Sequence, residues 1–244
     1  FPPGKNDPQM VFKVVDHMLL AHGAAYHAIH RVQPQARVGL AHHMRLFDPA
    51  RPGSPLDQFC AWNRDRLFNQ IPLNAVIHGH LDRPIGLTRR VGSLRNSVDF
   101  IGLNYYSRDL IQFDRHTLEG VIFGRNKSNP HAEMSDLNYG EIYPRGLFRL
   151  LKRLGGYNKP IYITENGAAF PDVVSADGKV HDPRRQDYLK NHFIQTRLAM
   201  QDGVDVRGYF VWSLLDNFEW AYGYSKRFGL VYVDYETQAR MPKT

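Results

Sequence analysis

Four short apolar runs divide the chain into similar units, and a helical pattern separates each run from the next. The runs are continuous rather than alternating, and they lie at 37–41, 100–106, 161–165 and 208–213. Continuous apolar strands that alternate with helices are typical of a parallel sheet covered on both faces. A closed (β/α)8 TIM barrel needs eight such units. With about four, the sequence predicts a partial barrel, folded as a single α/β domain over residues 1–244 without an internal linker.

Aspartate–proline pairs at 7–8 and 182–183 mark the starts of two helices, because aspartate caps a helix and proline suits its first turn. Further helices are predicted over 56–76 and 146–154, and a hairpin over 231–241. The side chains expected to form the inner faces are Val11, Val14, Val15, Met18, Ala21, Ala25 and Ile29 in the first helix, and Leu189, Phe193, Thr196 and Met200 in the last.

Charge and cysteine content narrow the possible functions. The net charge is +7, but lysines and arginines are interleaved with acidic residues, so no nucleic-acid partner is expected. Cys60 is the only cysteine, which excludes an internal disulfide and favours a cytoplasmic location. No apolar stretch approaches the roughly 18 residues that span a bilayer, so no membrane partner is expected either. Residues 1–4 resemble the middle of a loop, which suggests that an amino-terminal segment is missing.

Polar and aromatic residues follow the apolar runs. Asn104 and Tyr106 end the second run, Glu165 ends the third, and Trp212 and residues 216–220 follow the fourth. The carboxyl ends of parallel strands form the ligand-facing rim of an α/β barrel. These side chains are therefore expected to converge on one pocket. A strand-end glutamate can equally pair with an arginine or cap a turn, and its position alone leaves both interpretations open.

Three segments resemble motifs of glycoside hydrolase family 1. Residues 161–167, IYITENG, resemble its I/V-T-E-N-G nucleophile signature, and residues 102–107, GLNYYS, are similar to its G-x-N-Y-Y strand. Residues 208–220, continuing to 226–229, resemble its carboxyl-terminal sugar-binding motif. The three motifs follow the family's order over nearly the whole chain. The resemblance therefore implies the carboxyl-terminal half of that family's barrel, strands 5–8.

The resemblance also implies a reaction, the hydrolysis of terminal non-reducing β-D-glycosides with retention of configuration, as in a β-glucosidase. Retaining enzymes use two carboxyl groups about 5–5.5 Å apart. Glu165 matches the nucleophile, which would form a covalent glycosyl-enzyme, and Tyr106 matches the tyrosine that orients it. The twelve histidines lack companions at metal-ligand spacing, so neither a metal nor another cofactor is expected.

The same resemblance assigns the substrate-binding residues for a β-glucoside or a related small oligosaccharide. Asn104 matches an asparagine of the sugar subsite, and Trp212 would form an apolar floor under the ring. Glu219 would accept hydrogen bonds from sugar hydroxyls, and Trp220 would add an N–H donor. Phe228 either lines the pocket or packs in the core.

The family's acid/base carboxylate lies in a T-x-N-E-P motif, and no Asn-Glu-Pro segment occurs in this chain. Glu119, Glu133 and Glu141 carry no mark of a substitute. The isolated chain is therefore expected to be inactive. An alternative is a non-catalytic sugar-binding or self-associating half-barrel, because an open half-barrel exposes apolar surface that favours pairing with the missing half or with a second copy. Preference among glucose, galactose and fucose stays open.

Overall fold

A computed structural model describes residue 4 and residues 7–82, 88–137 and 140–244. The loop expected at residues 1–4 lies outside the described residues except for Gly4. The helices are α1 Pro8–Val32, α2 Pro55–Asp65, α3 Ile71–His78, α4 Leu118–Phe123, α5 Pro144–Gly155 and α6 Pro183–Gln201. The strands are β1 Gly39–Pro49, β2 His80–Leu81, β3 Arg89–Arg90, β4 Phe100–Gln112, β5 Arg125–Lys127, β6 Ile161–Asn166, β7 Val206–Val211, β8 Val231–Val233 and β9 Arg240–Pro242.

A parallel sheet in the order β1-β4-β6-β7 forms the centre of the molecule. Helices connect its successive strands, as the alternation of apolar runs and helical patterns predicts. β5 adds an antiparallel edge beside the distal part of β4. β8 and β9 form the hairpin expected near the carboxyl end of the chain. The α/β class with a parallel sheet is therefore confirmed.

The core lies between the sheet and α5. This helix places Leu147, Leu150, Leu151 and Leu154 on one stripe, and all four are buried against apolar strand residues such as Ile163. Leucines at i, i+3, i+4 and i+7 make the one-sided pattern of a helix that covers a sheet. The leucine stripe therefore covers one face of the sheet. The carboxyl ends of the strands lie outside this contact and can carry polar side chains.

The predicted inner face of α1 is wrong. Val11, Val14, Met18 and Ile29 are 40–67% exposed, and among the residues predicted for this face Val15 packs against the core. The helix instead turns Leu19 inward. Two apolar stripes occur on this helix, and periodicity does not reveal which of them the rest of the described chain covers.

The predicted helix over 56–76 is divided into α2 and α3 by a wider π-helical turn at residues 66–70. Pro72 has no N–H to donate back along the helix, and the N–H of Ile71 bonds to the carbonyl of Arg66, five residues earlier. A proline inside a helical pattern therefore changes the hydrogen-bond spacing here without ending the helical path.

Two strand boundaries also differ from the predictions. β1 begins at Gly39 and extends to Pro49 rather than covering 37–41, because it pairs with β4 along almost its whole length. β7 covers Val206–Val211 rather than 208–213. In both cases hydrogen bonding to the neighbouring strand, rather than the end of the apolar run, decides where the strand stops.

The inner face of α6 is shifted from the prediction. Phe193 and Met200 are 45% and 51% exposed, whereas Tyr188 and His192 are buried, and Thr196 is buried as predicted. Tyr188 can turn inward because its hydroxyl accepts a hydrogen bond from Asn166, and Nδ1 of His192 bonds to the Tyr188 carbonyl, whereas Nε2 of His192 has no partner among the described residues. Among the described residues, no helix has the length and hydropathy needed to cross a membrane.

Candidate active site

The central feature of the site is a hydrogen bond between neighbouring strands. Glu165 lies near the carboxyl end of β6 and Tyr106 lies on β4. The Tyr106 hydroxyl donates to Oε2 of Glu165 over 2.6 Å, a length typical of a bond to a charged carboxylate. Glu165 is half-buried and makes no ion pair with an arginine among the described residues. The alternative in which Glu165 serves as a salt-bridging residue therefore has no support.

Tyr106 is suited to be a permanent donor. Burial, together with the hydrogen bond and the negative charge of Glu165, raises the pKa of the Tyr106 hydroxyl well above its usual value. The charge of Glu219 acts on it in the same direction. The hydroxyl therefore keeps its proton at every physiological pH, and the carboxylate keeps one of its oxygens fixed while the other stays available.

Asn104 lies beside the same carboxylate. It pairs in register with Glu165 across β4 and β6, and its Oδ1 accepts a hydrogen bond from the Thr164 hydroxyl over 2.5 Å. The register of this pairing shifts by one residue at Thr164. Leu103 pairs with Ile163, whereas the next residue, Asn104, pairs with Glu165. The shift places Asn104 and Glu165 side by side at the rim.

An aromatic cluster stands next to Glu165. Tyr106 and Trp212 pack on a buried group that includes Phe228, and the rings of Tyr106 and Phe228 meet edge to face with centroids 6.4 Å apart. Phe228 is only 2% exposed, so it packs in the core behind the pocket. Trp212 is half-buried, which leaves part of its indole free to contact a ligand.

Gly167 allows the chain after Trp212 to approach the site. A Cβ atom at position 167 would lie 1.8 Å from the Trp212 carbonyl oxygen. The N–H of Trp212 bonds to the carbonyl of Asn166 over 3.0 Å, and the Trp212–Ser213 peptide bond is cis. The glycine of the Glu-Asn-Gly sequence is thus required by close backbone approach, and the indole is fixed relative to Glu165.

Glu219 and Trp220 occupy the loop after β7 and differ strongly in exposure. Glu219 is 8% exposed, and its Oε2 accepts a hydrogen bond from Nδ2 of Asn217 over 3.1 Å. Trp220 is 71% exposed, has a positive φ of 42° and stands outside the aromatic cluster. The structure therefore groups Glu219 with the site and leaves Trp220 at its outer margin.

Asn166 joins the elements around the site, a role that is not among the predictions from the sequence. It is the last residue of β6 and is fully buried. Its Nδ2 donates to the carbonyl of Tyr105 over 2.6 Å and to the hydroxyl of Tyr188 over 2.9 Å, and its Oδ1 accepts from Tyr209. One amide thus links β4, α6 and β7. Hydrogen-bonding tyrosines in three separate segments give no local sequence signal.

The other glutamates considered as acids are engaged elsewhere or lie on other elements. Glu133 pairs with Arg184 over 2.9 Å at the surface, and Glu141 pairs with Arg108. Glu119 is exposed in the first turn of α4. Within the described ranges, no group of three or more potential metal-binding side chains occurs. Glu165 and Glu219 are therefore the carboxylates of the described site.

A parallel α/β sheet whose rim presents a tyrosine-bonded carboxylate beside a tryptophan has the features of a carbohydrate-hydrolysing α/β barrel. The model of glycosyl hydrolase family 1 matches residues 1–244. The chain belongs to this family.

Relatives of known function agree. Over 99% of this chain, it is 41% identical to β-glucosidase A of Thermotoga maritima and 39% identical to a 1,4-β-D-glucan glucohydrolase of Thermotoga neapolitana. A 6-phospho-β-galactosidase of Staphylococcus aureus is 32% identical over the whole chain. This chain covers 56%, 56% and 60% of those proteins, so it spans little more than half of their length.

Solved structures give the same result. The family 1 β-glucosidase of Thermotoga maritima, also solved with glucoimidazole, superposes with a TM-score of 0.87 at 37% identity, covering 99% of this chain and 56% of that one. A psychrophilic β-glucosidase from Micrococcus antarcticus gives 0.86 at 34% identity, with 99% and 58% covered.

Proposed function

We propose that this chain supplies the nucleophile and most of the sugar contacts of a retaining β-glycosidase, as strands 5–8 of a (β/α)8 barrel. The observation that carries the proposal is the 2.6 Å hydrogen bond from Tyr106 to Glu165 beside the half-buried Trp212. A carboxylate held in this way is oriented and lies next to a flat apolar surface. Those are the requirements for attack on the anomeric carbon of a pyranose.

In the proposed reaction, one oxygen of Glu165 attacks the anomeric carbon, and the bond to the leaving oxygen breaks as a second carboxylic acid protonates that oxygen. The product is a glycosyl ester on Glu165. The second group, now a carboxylate, removes a proton from water, which then attacks the same carbon and releases Glu165. Two displacements at one carbon retain its configuration.

The proton donor is the part that this chain does not provide. A site without its general acid loses about 10²–10⁴ in rate. We therefore expect the 244-residue chain alone to be inactive, with the acid/base contributed by sequence corresponding to the part of the relatives that the chain does not cover.

The substrate expected at this site is a neutral β-glucoside. The nearly buried carboxylate of Glu219 would accept hydrogen bonds from sugar hydroxyls, and the same negative charge would repel a phosphorylated sugar. This favours the reaction of the relatives named β-glucosidase over that of the relative named 6-phospho-β-galactosidase.

The test uses a reconstituted enzyme, defined as this chain co-expressed with the part of the Thermotoga maritima β-glucosidase that the chain does not cover. Glu165→Gly should abolish hydrolysis, and added azide should restore turnover by attacking from the vacated face. The product is then the glycosyl azide of inverted configuration. Glu219→Gly serves as the control and should show no azide rescue. Full activity of Glu165→Gly, or rescue of Glu219→Gly alone, would contradict the assignment.

The second candidate is a half-barrel whose function is association, and the exposed apolar face of α1 favours it. Val14 and Met18 are 48% and 67% exposed, and Phe210 on the edge strand β7 is 57% exposed. Exposed apolar side chains of this kind are typical of a surface that another protein segment covers. Association with a complementary half-barrel would be consistent with both the glycosidase and the association function. Stable self-association without sugar hydrolysis would favour the association function.

A further inference from the structure

A second pocket lies at the opposite end of the sheet from Glu165. Its volume is about 420 Å³. The residues that line it are His78, Gly79, His80, Arg90, Val91, Gly92 and Arg95. Arg95 shortly precedes Phe100, the first residue of β4, so the pocket lies near the amino ends of the parallel strands. Glu165 lies near the carboxyl end of β6, and the two sites are therefore separated by the length of the sheet.

Strand pairing turns two basic side chains toward this pocket. In the hairpin formed by β2 and β3, His80 is directly opposite Arg90 and Leu81 is directly opposite Arg89. Directly opposed residues of an antiparallel pair project from the same face, and their neighbours project from the other. His80 and Arg90 therefore share a face, while Arg89 does not line the pocket.

The walls of the pocket are held together by backbone contacts. The N–H of Val91 donates to the carbonyl of Gly79 over 2.8 Å. Gly79 has a φ of 74°, and a Cβ atom there would lie 2.8 Å from the carbonyl oxygen of Val91. The His78 and His80 rings stand 6.2 Å apart, and the His78 ring lies 6.0 Å from that of Tyr157. The arrangement is thus set by the fold rather than by flexible side chains alone.

The positive charges of the pocket are unbalanced. The side chains of Arg90 and Arg95 make no hydrogen bond or ion pair with any residue that the structure describes, and no carboxylate lines the pocket. Asp82 is the only acidic residue between positions 78 and 95 of the sequence. Its two oxygens already accept hydrogen bonds from Asn74 and Thr88, over 3.0 and 2.9 Å.

Some arginines elsewhere on the surface are paired with a carboxylate, whereas others, such as Arg31 and Arg115, pair with none in the described part of the chain. Arg149 pairs with Asp48 over 2.7 Å, and Arg207 pairs with Asp205 over 2.9 Å. Two unpaired guanidinium groups directed at one concave surface repel each other unless an anion lies between them. Guanidinium groups match the geometry of phosphate oxygens, which accept two parallel hydrogen bonds from each arginine.

We propose that this pocket binds a phosphomonoester of small-metabolite size, held at its phosphate by Arg90 and Arg95 with the imidazole groups of His78 and His80 as further donors. The volume lies within the range of about 300–1,000 Å³ that is usual for small-molecule sites and exceeds what a phosphate alone needs. The ligand therefore carries an organic group besides its phosphate. The site is independent of the glycosidase proposal.

The test is calorimetric titration of the 244-residue protein with glucose 6-phosphate, with glucose as the neutral control and inorganic phosphate as the minimal anion. Glucose 6-phosphate should bind saturably, inorganic phosphate more weakly, and glucose not at this site. Arg90→Gln and Arg95→Gln should each weaken glucose 6-phosphate binding about 10- to 100-fold, because each removes charged hydrogen bonds to the phosphate. Arg89→Gln is the matched control and should bind as the parent protein does.

Location is tested separately by the NMR signals of the histidine rings. Glucose 6-phosphate should shift the signals of His78 and His80 and leave those of His116 and His131 in place. Circular dichroism should show equal thermal unfolding of all three variants, because the substituted side chains are exposed. Absence of saturable binding at millimolar concentration overturns the proposal. So does an equal loss in Arg89→Gln, which would indicate non-specific attraction to the net charge, or shifts confined to histidines outside the pocket.

Discussion

A phenol that donates to a carboxylate over 2.6 Å restrains that carboxylate more strongly than packing alone, because the bond has a direction as well as a length. The importance of Tyr106 can be measured in the reconstituted enzyme. Tyr106→Phe removes the donor and keeps the ring. We expect kcat to fall roughly 10- to 100-fold, the equivalent of about 1.5–3 kcal/mol for a hydrogen bond to a charged group.

Tyr26→Phe is a matched control for that variant, since the Tyr26 hydroxyl donates to Asp99 over 2.9 Å away from the site. It removes a similar bond between a tyrosine and a carboxylate, and kcat should stay within twofold of the parent value. Equal kcat values for the parent enzyme and Tyr106→Phe would show that Tyr106 does not orient the nucleophile.

Close approach at Gly167 predicts a stability effect in the chain itself. Gly167→Ala would place a methyl group 1.8 Å from the Trp212 carbonyl oxygen, so the segment after β7 must move. We expect a loss of about 1–3 kcal/mol in the free energy of unfolding, as for other overpacked sites. Urea denaturation measures it. Gly53→Ala is the control, because a Cβ atom there would meet nothing within 4 Å. An unchanged midpoint for Gly167→Ala would contradict the required close approach.

At the scale of single residues, the sequence indicates which side chains lie at the strand ends but not which residues support them. Asn104, Tyr106, Glu165 and Trp212 follow apolar runs, and the parallel sheet brings these strand ends together. Asn166 was missed because its three tyrosine partners lie on separate elements. Trp220 is exposed because of the conformation of its loop, and a match to a sequence motif does not reveal that conformation.

At the scale of elements, the order of strands and helices is predictable and their edges and faces are not. β1 is longer than its apolar run because β4 offers hydrogen-bonding partners as far as Ile111. The inner face of α6 is shifted because the buried Tyr188 hydroxyl accepts a hydrogen bond from Asn166 on β6, and the His192 ring stacks on Tyr188. Both differences result from tertiary partners that a local pattern does not contain.

Buried and half-buried histidines on α6 and β1 predict that the stability of the protein depends on pH. Burial lowers the pKa of His192 to about 4, and burial likewise lowers those of His42 and His43 to about 4. In the unfolded chain a histidine titrates near pH 6.5. Below that pH the unfolded state binds protons that the folded state does not. The contribution of these three histidines to the free energy of unfolding should therefore be largest above about pH 6.5, decrease as the pH falls toward 4, and change no further below that pH.

His192→Phe should reduce that slope by the contribution of one proton, up to about 1.4 kcal/mol per pH unit, because phenylalanine fills the space without titrating. Urea unfolding at several pH values between 4 and 7 provides the measurement. His116 has a side chain that is 76% exposed, so His116→Gln is the control and should leave the slope unchanged. A parent slope of zero over this range would contradict the buried, neutral state of these histidines.

At the scale of the whole molecule, the sheet ends at β1 and β7, and exposed apolar side chains occur on α1 and on β7. We expect the isolated chain to associate in solution and to form a defined complex with the part of the Thermotoga maritima relative that it does not cover. Met18→Glu places a charge on the exposed face of α1 and should weaken that complex at least tenfold by sedimentation velocity. Val173→Glu changes an equally exposed apolar side chain outside α1 and β7 and should have little effect.

Equal weakening by both substitutions would show that α1 is not part of the contact surface. A monomeric chain that fails to bind the complementary part would remove the association altogether. The class of fold is predictable at this scale from four apolar runs. Which faces stay exposed depends on how the four units pack together, and the runs alone do not predict that packing.

The central claim is that Glu165 forms a covalent bond to the sugar. The reconstituted enzyme should be treated with a 2-deoxy-2-fluoro-β-glucoside carrying a good leaving group, since fluorine slows both formation and hydrolysis of the glycosyl-enzyme and the good leaving group restores its formation. We predict that this chain gains the mass of one fluoroglucosyl group and that peptide mapping places it on Glu165. A label on Glu219, or continued turnover of glycoside without any covalent adduct, would contradict the account.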